Sequence, residues 1–212
     1  TYKMLKIQAK EIIGGDLSAT TKMPCKSFNL PAWECKTGSK LAKIPGTVCH
    51  GCYAMKGNYT RFPSVKKAQY KRLGQLFNPA WVDAMVSMIE RENNKYFRWH
   101  DAGDIQSIKH LKNIVEVANK TPAITHWIPT REHKIVNDFV KAGGIIPDNL
   151  IIRISATNID GKPPKNASHT STVHSKSDAI GFECVAPKQD GSCLDCRACW
   201  NPSIKNISYK QH

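Results

Sequence analysis

The sequence predicts an α/β fold, a partial (β/α)6-like barrel of mostly parallel strands with a cysteine-rich C-terminal extension. Three observations carry this expectation. Six short runs have strand character, helical stretches separate most of them, and a polar cluster follows each of the runs ending near residues 100, 130 and 155. Strands joined through helices pair in parallel, because a crossover of that length brings the chain back to the same edge of the sheet.

The first run is Ser27-Phe28-Asn29-Leu30-Pro31, followed by a long loop that carries Cys35, Cys49 and Cys52. Arg61 to Phe77 reads as a helix with Lys66, Lys67, Lys71 and Arg72 on its polar side. Asn78-Pro79 opens a second helix, since proline fits the first helical turn, and Trp81, Met85, Met88 and Ile89 form its core stripe. Tyr96 to His100 is strand-like. Ser107 to Asn119 is an amphipathic helix with Ile108, Leu111, Ile114 and Val115 at helical spacing. Ile124 to Ile128 is the next strand, and Arg131 to Lys141 a helix stopped by Gly143-Gly144. Leu150 to Ser155 is a β-branched run of the buried parallel kind, with further strands expected at Thr170 to His174 and Gly181 to Val185.

With 212 residues, 41% of them hydrophobic, the chain can bury one good core. Residues 1–180 are therefore read as the α/β domain carrying the first cysteine group, and residues 181–212 as a cysteine-rich segment packed on it. No run approaches the roughly 18 apolar residues of a membrane span, so no membrane partner is expected. The 31 Lys and Arg against 17 Asp and Glu give a formal charge of +14, which favours polyanions, so nucleic acid or a nucleotide is a candidate partner.

The eight cysteines fall into two groups. Cys193, Cys196 and Cys199 stand three residues apart, with Cys184 upstream; Cys25, Cys35, Cys49 and Cys52 lie near the front. A Cys-x2-Cys-x2-Cys trio wraps readily around a [4Fe-4S] cube with a fourth thiolate from elsewhere, whereas zinc takes its cysteines more often as separated pairs. Two [4Fe-4S] clusters are expected, with zinc as the alternative metal. A disulfide framework belongs mostly to short secreted chains, and the first residues show no apolar signal segment, so a reducing cytoplasm is expected.

In parallel sheets, chemistry collects beyond the carboxyl ends of the strands. Here those positions hold His100-Asp101-Ala102-Gly103-Asp104, Thr130-Arg131-Glu132-His133 and Ser155-Ala156-Thr157-Asn158. Each alone reads as a cap or turn; their recurrence on one rim points to a site. His100, His126, His133 and His174 are read as hydrogen-bonded polar residues rather than ligands. Trp200, next to Cys199, is read as a shield between a metal site and water. The Gly14-Gly15-Asp16 turn is too short to indicate phosphate binding, and no Walker, nucleophile-elbow or dinucleotide motif is present.

Several motifs together resemble a tailed-bacteriophage family known as gene product eighty-eight. They are Lys22-Met23-Pro24-Cys25-Lys26-Ser27-Phe28-Asn29-Leu30-Pro31-Ala32, Cys49-His50-Gly51-Cys52-Tyr53-Ala54, Arg98-Trp99-His100-Asp101-Ala102-Gly103-Asp104 and the closing cysteine trio. That resemblance implies a phage origin and metal-binding cysteines. The layout is more distantly similar to radical S-adenosylmethionine (SAM) enzymes, which place three cysteines after the first strand of a partial barrel. This second resemblance implies a cluster on Cys35, Cys49 and Cys52 with Tyr53 beside it. It also implies that Asp104 receives the SAM amino group, that Ser155 and Asn158 lie near the ribose, and that Arg131 or Arg153 meets the carboxylate. The chain departs from the usual Cys-x3-Cys-x2-Cys, since 13 residues separate Cys35 from Cys49. Cys25 is near enough in sequence to be a fourth ligand, which would close the cluster and remove the open iron.

The expected function is SAM-dependent or redox chemistry in the host cytoplasm, on a nucleic acid or nucleotide, with a host reductant as partner. The alternatives are a non-enzymatic nucleic-acid-binding protein with structural Fe-S or zinc sites, and an electron-transfer protein.

Overall fold

The computed structural model describes residues 4–211. Its frame is an open, all-parallel sheet of seven strands: β1 Ser27–Phe28, β2 Tyr96–Trp99, β3 Thr125–Thr130, β4 Leu150–Ser155, β5 Thr170–His174, β6 Phe182–Glu183 and β7 Asn206–Lys210. The order across the sheet is β1-β2-β3-β4-β5-β7-β6. The helices are α1 Lys6–Ile13, α2 Lys36–Leu41, α3 Asn58–Arg61, α4 Pro63–Gln75, α5 Trp81–Arg91, α6 Ile108–Lys120 and α7 His133–Lys141.

Four expectations are corrected here. The sheet is open, as expected, and has seven strands where six are expected. The C-terminal residues are also not a mere extension, because β7 inserts between β5 and β6 and so belongs to the sheet. The pattern Asn206-Ile207-Ser208-Tyr209-Lys210 concealed it: Asn and Lys are poor strand formers, and the buried Asn206 and Ser208 earn their places by cross-strand hydrogen bonds rather than by hydrophobicity. The helix expected over 61–77 is α4, Pro63–Gln75; Arg61 instead closes α3, and at Phe62-Pro63 proline removes the donor a continuous helix needs and opens α4. The helix expected from Arg131 starts at His133, and the Arg131 N–H ahead of it donates to Asp104 in the loop that follows β2.

Alternation along the strands separates two faces. Phe97, Trp99, Ile128, Leu150, Ile152 and Ile154 pack with residues of α1, α5 and α6 in one large core. The core is tight where α1 ends: Gly14, at φ 89°, caps the helix, and a Cβ there would lie 2.8 Å from the backbone nitrogen of Arg72. Arg72, expected on a polar face, is buried and donates to the Asp16 carbonyl at 2.6 Å.

The opposite face carries Tyr96, Arg98, Trp127 and Arg153, and the chain from Ala198 to Asn206 folds across it. Arg153 is fully buried and is the peg that holds that segment: its Nε donates to the Cys199 carbonyl at 3.0 Å, Nη1 to Ile204 at 2.9 Å, and Nη2 to Asn201 at 3.0 Å. Trp200 lies beside it, edge-on to Trp127 at 5.2 Å, with its indole N–H donating to the Phe97 carbonyl at 2.9 Å. No helix among the described residues is long and apolar enough to cross a membrane.

Candidate metal centres

All eight cysteines are free thiols, and the fold sorts them differently from their order in the chain. Cys35, Cys49 and Cys52 form the front group. Cys35 and Cys52 pack on Ala32, Ala54 and Ala102. Cys35 and Cys49 also flank Gly38, whose absent Cβ would stand 3.8 Å from Cys35 Sγ and 3.6 Å from Cys49 Sγ. The loop is pinned over the sheet's carboxyl edge by an antiparallel bridge between Thr47 and Asn158, and by the Val48 N–H donating to the Thr157 carbonyl at 2.9 Å. Asn158 therefore lies on the rim that carries Cys49. Ser155, at the end of β4, accepts from the Ser171 hydroxyl at 3.0 Å.

The surroundings of the front group are charged. Asp104 is buried and accepts from the Thr130 hydroxyl at 2.6 Å, the Ile105 N–H at 2.8 Å and the Arg131 N–H at 2.9 Å. Burial outweighs these bonds and pushes its carboxyl up to about 6. Gly103 makes that placement possible: at φ 87° its backbone presses on Leu30, and a Cβ would meet the Leu30 Cβ at 2.5 Å. Burial raises the Cys35 thiol, and the negative Asp104, Cys52, Cys49 and Glu132 raise it further. Burial raises Cys49 as well, with Arg131 opposing. Arg131 Nε is buried without a hydrogen-bond partner among the described residues.

Glu132 was read only as part of a polar run, yet it is central to this loop. Its carboxylate accepts from the Thr37 N–H and from the Thr37 hydroxyl, both at 2.8 Å, and so anchors the first turn of α2 beside Cys35. No sequence signal links residues 95 apart. Tyr53 donates to the Asp101 carbonyl, and Tyr59 to the Asp101 carboxylate at 2.7 Å.

The C-terminal group is Cys184, Cys193, Cys196 and Cys199, which line one small hollow with Phe182, Ala198, Trp200 and Ile207. Cys25 joins this group, not the front one. It is buried against Trp127 and Trp200 with Cys199 packed beside them, and a charge on Cys193 is felt at its sulfur. Burial pushes Cys25 up to about 12, opposed by Arg98 and Arg197. Burial pushes Cys199 up to about 11, opposed by its 3.3 Å hydrogen bond with the Tyr209 hydroxyl. The group joins the two margins of the open sheet: Cys25 precedes β1, Cys184 follows β6, and the Cys193 N–H donates to the Lys22 carbonyl at 3.0 Å.

Arg153 is on the far side from the front thiols and its guanidinium is enclosed by carbonyls, so of the two arginines considered for one role only Arg131 stands beside a front thiol. His126 and His174 are hydrogen-bonded, to Trp99 and Thr121 and to Ser208 respectively. His100 is buried with both ring nitrogens unpartnered among the described residues.

The donor chemistry of both groups suits a thiophilic metal. Among the described residues, however, no three His, Cys, Asp or Glu side chains are gathered closely enough to hold one metal ion. A tetrahedral zinc needs every sulfur about 2.3 Å from a single point. No curated protein and no solved structure matches the chain. The motifs of the cysteine loop, the Arg98–Asp104 segment and the closing trio all lie within residues 3–202, which match the gene product 88 family, and the chain belongs to that family.

Proposed function

We propose that this member of a phage gene-product family is an iron-sulfur protein with two [4Fe-4S] sites and SAM-dependent chemistry at the front one. The observation that carries the reading is the position of Cys25. With Cys25 packed at the C-terminal group, the front loop offers three thiols, Cys35, Cys49 and Cys52, and so leaves one iron of a cube without a protein ligand. A cluster takes each sulfur on a different iron, whereas one zinc needs all its sulfurs about one point.

When bound, a reduced cluster with an open iron supplies the electron that SAM-dependent radical chemistry requires. The residues of the chain supply the remainder. Arg131, with a buried and unpartnered Nε beside Cys49, offers a charge-assisted donor to a carboxylate. Asp104 holds the Arg131 backbone and keeps acceptor capacity for an ammonium group, since its oxygens accept three bonds where a carboxylate has room for about four. Asn158, on the same rim, and Ser155 at the end of β4 offer small polar groups for a diol. Tyr53 stiffens the loop through Asp101. The C-terminal site, enclosed by Trp127 and Trp200 and lined by four thiols, serves structure or electron transfer with a host reductant in the host cytoplasm.

The test is an iron, sulfide and zinc count on protein purified without oxygen, followed by SAM binding. About eight iron and eight sulfide per chain, with SAM bound by the wild type and lost in Arg131→Met, is the expected result. Full cluster loading without SAM binding or cleavage would overturn the enzymatic reading. A second reading rests on the charge of +14: a nucleic-acid-binding protein whose metal is structural. It requires DNA or RNA affinity that falls steeply with salt and does not respond to the redox state.

A further inference from the structure

We propose that Arg98 is the counter-charge of the C-terminal thiol centre and that, through Asp101, it ties this centre to the tyrosine pair of the front loop. The assignment rests on the cluster reading of the C-terminal thiols given above.

Arg98 projects from β2 onto the face opposite the large core, with its guanidinium 4.7 Å above the Trp127 ring. Its Nη1 donates to Asp101 Oδ1 at 2.8 Å and lies 3.8 Å from the sulfur of Met23. Cys193 Sγ is 3.9 Å from that same methionine sulfur, so Met23 is wedged between the arginine and the thiol. The positive charge bears on Cys25, Cys193 and Cys199. Of the other cations of the neighbourhood, Arg197 directs Nη1 to the carbonyls of Leu194 and Cys196 and its face to the Tyr96 ring, and Arg153 gives its donors to the carbonyls of Cys199, Ile204 and Asn201.

Burying a guanidinium is costly unless its donors are met. One carboxylate meets one end of Arg98, while Nε is buried without a partner among the described residues. A thiolate or cluster sulfur is an anionic acceptor of the kind such a donor lacks. The need is mutual: thiolates at Cys25 and Cys199, packed against Trp127 and Trp200, form a negative centre partly withdrawn from water, where a fixed cation has a larger effect than in solvent. Asp101 is equally fixed, since Tyr59 donates to it at 2.7 Å, Tyr53 donates to its carbonyl, and its own N–H donates to Asn29 Oδ1 at 2.7 Å. Arg98 and Asp101 thus form the polar link between the sulfur-bearing C-terminal hollow and the turn that follows Cys52.

The experiment uses full-length protein reconstituted without oxygen in a Cys49→Ser, Cys52→Ser background, so that only the C-terminal thiols hold a cluster. Its midpoint potential is followed by electron paramagnetic resonance. Removing the cation in Arg98→Gln makes reduction harder, with an expected drop of about tenfold in the reduction equilibrium, or 59 mV for one electron. Arg98→Lys retains most of the wild-type potential. Asp101→Asn, which leaves the cation in place and less compensated, moves the potential the opposite way. Unmoved potentials in both Arg98→Gln and Asp101→Asn, or shifts of the same sign, overturn the assignment; if Arg98→Gln does not fold, Asp101→Asn decides alone. A background protein that takes zinc or no metal instead fails the cluster reading itself, which separates that failure from a loaded centre indifferent to Arg98.

Discussion

The two cysteine groups occupy opposite kinds of environment within one small fold. The front thiols share a rim with two carboxylates, an arginine and several hydroxyls, whereas the C-terminal thiols lie among Trp127, Trp200, Phe182 and Ile207 with Arg98 as a largely covered cation. The first environment gathers charged and hydroxyl groups around its thiols. The second packs Cys25 and Cys199 against tryptophan rings and fastens chain segments that precede β1 to those that follow β6. The same residue type thus stands in a charged, polar rim where its loop faces the strand ends, and in an aromatic, chain-fastening setting on the sheet's other face.

The largest expected effect comes from the cohesive group. On the proposed metal loading of the C-terminal thiols, Cys193→Ser with Cys196→Ser should remove a contribution on the order of 10 kcal/mol to folding. Thermal unfolding of the anaerobic protein should show a collapse of stability, while Cys49→Ser with Cys52→Ser should leave most of it. Equal losses in the two pairs would erase the contrast.

The two arginines sharpen the comparison at a smaller scale. Arg153→Met strips donors from the carbonyls of Cys199, Ile204 and Asn201 in a buried site, and should cost at least about 3 kcal/mol in urea unfolding. Arg131→Met should lose SAM binding with little change in that midpoint.

Acid should act on the core that both groups share. Burial lowers His110 and His126 to about 3, well under the ordinary histidine value of about 6.5. The unfolded chain therefore binds these two protons first, and stability is lost as pH falls from about 6.5 toward 3. The slope is about 1.4 kcal/mol per pH unit for each histidine. Unfolding free energies measured across that range, with and without His126→Gln, check it.

The smallest effect is electrostatic and local. Neutralising the carboxylate beside Cys35 in Asp104→Asn should lower the Cys35 thiol and speed its alkylation in the metal-free protein severalfold, with Cys193 unchanged. Equal rates in the variant and the parent would place the carboxylate's influence elsewhere.

The strands and helices with strong periodicity were legible in the chain. Leu150 to Ser155 and Thr170 to His174 occupy the strand spans expected of them, and α6 differs by a residue at its ends. β7 and α1 were not legible. β7 mixes polar with apolar residues because its partners are hydrogen-bonding side chains of β5, and α1 is a short helix that gains its stability from packing on α5 and α4.

By itself the sequence determined the α/β class, the parallel sheet, the eight thiols and the polar residues that follow the strands, because these depend on local pattern and residue chemistry. Tertiary structure alone decided which thiols stand together. Cys25 is closer along the chain to Cys35 than to any other cysteine, yet it packs with Cys199 and Trp200. Nothing local records the route of the C-terminal segment back across the sheet. Arg153 likewise changed from a candidate ligand contact to a structural peg, since a buried guanidinium goes where unpaired carbonyls are most concentrated. The partition of the thiols, on which the proposed chemistry turns, is a property of how the sheet's two margins meet.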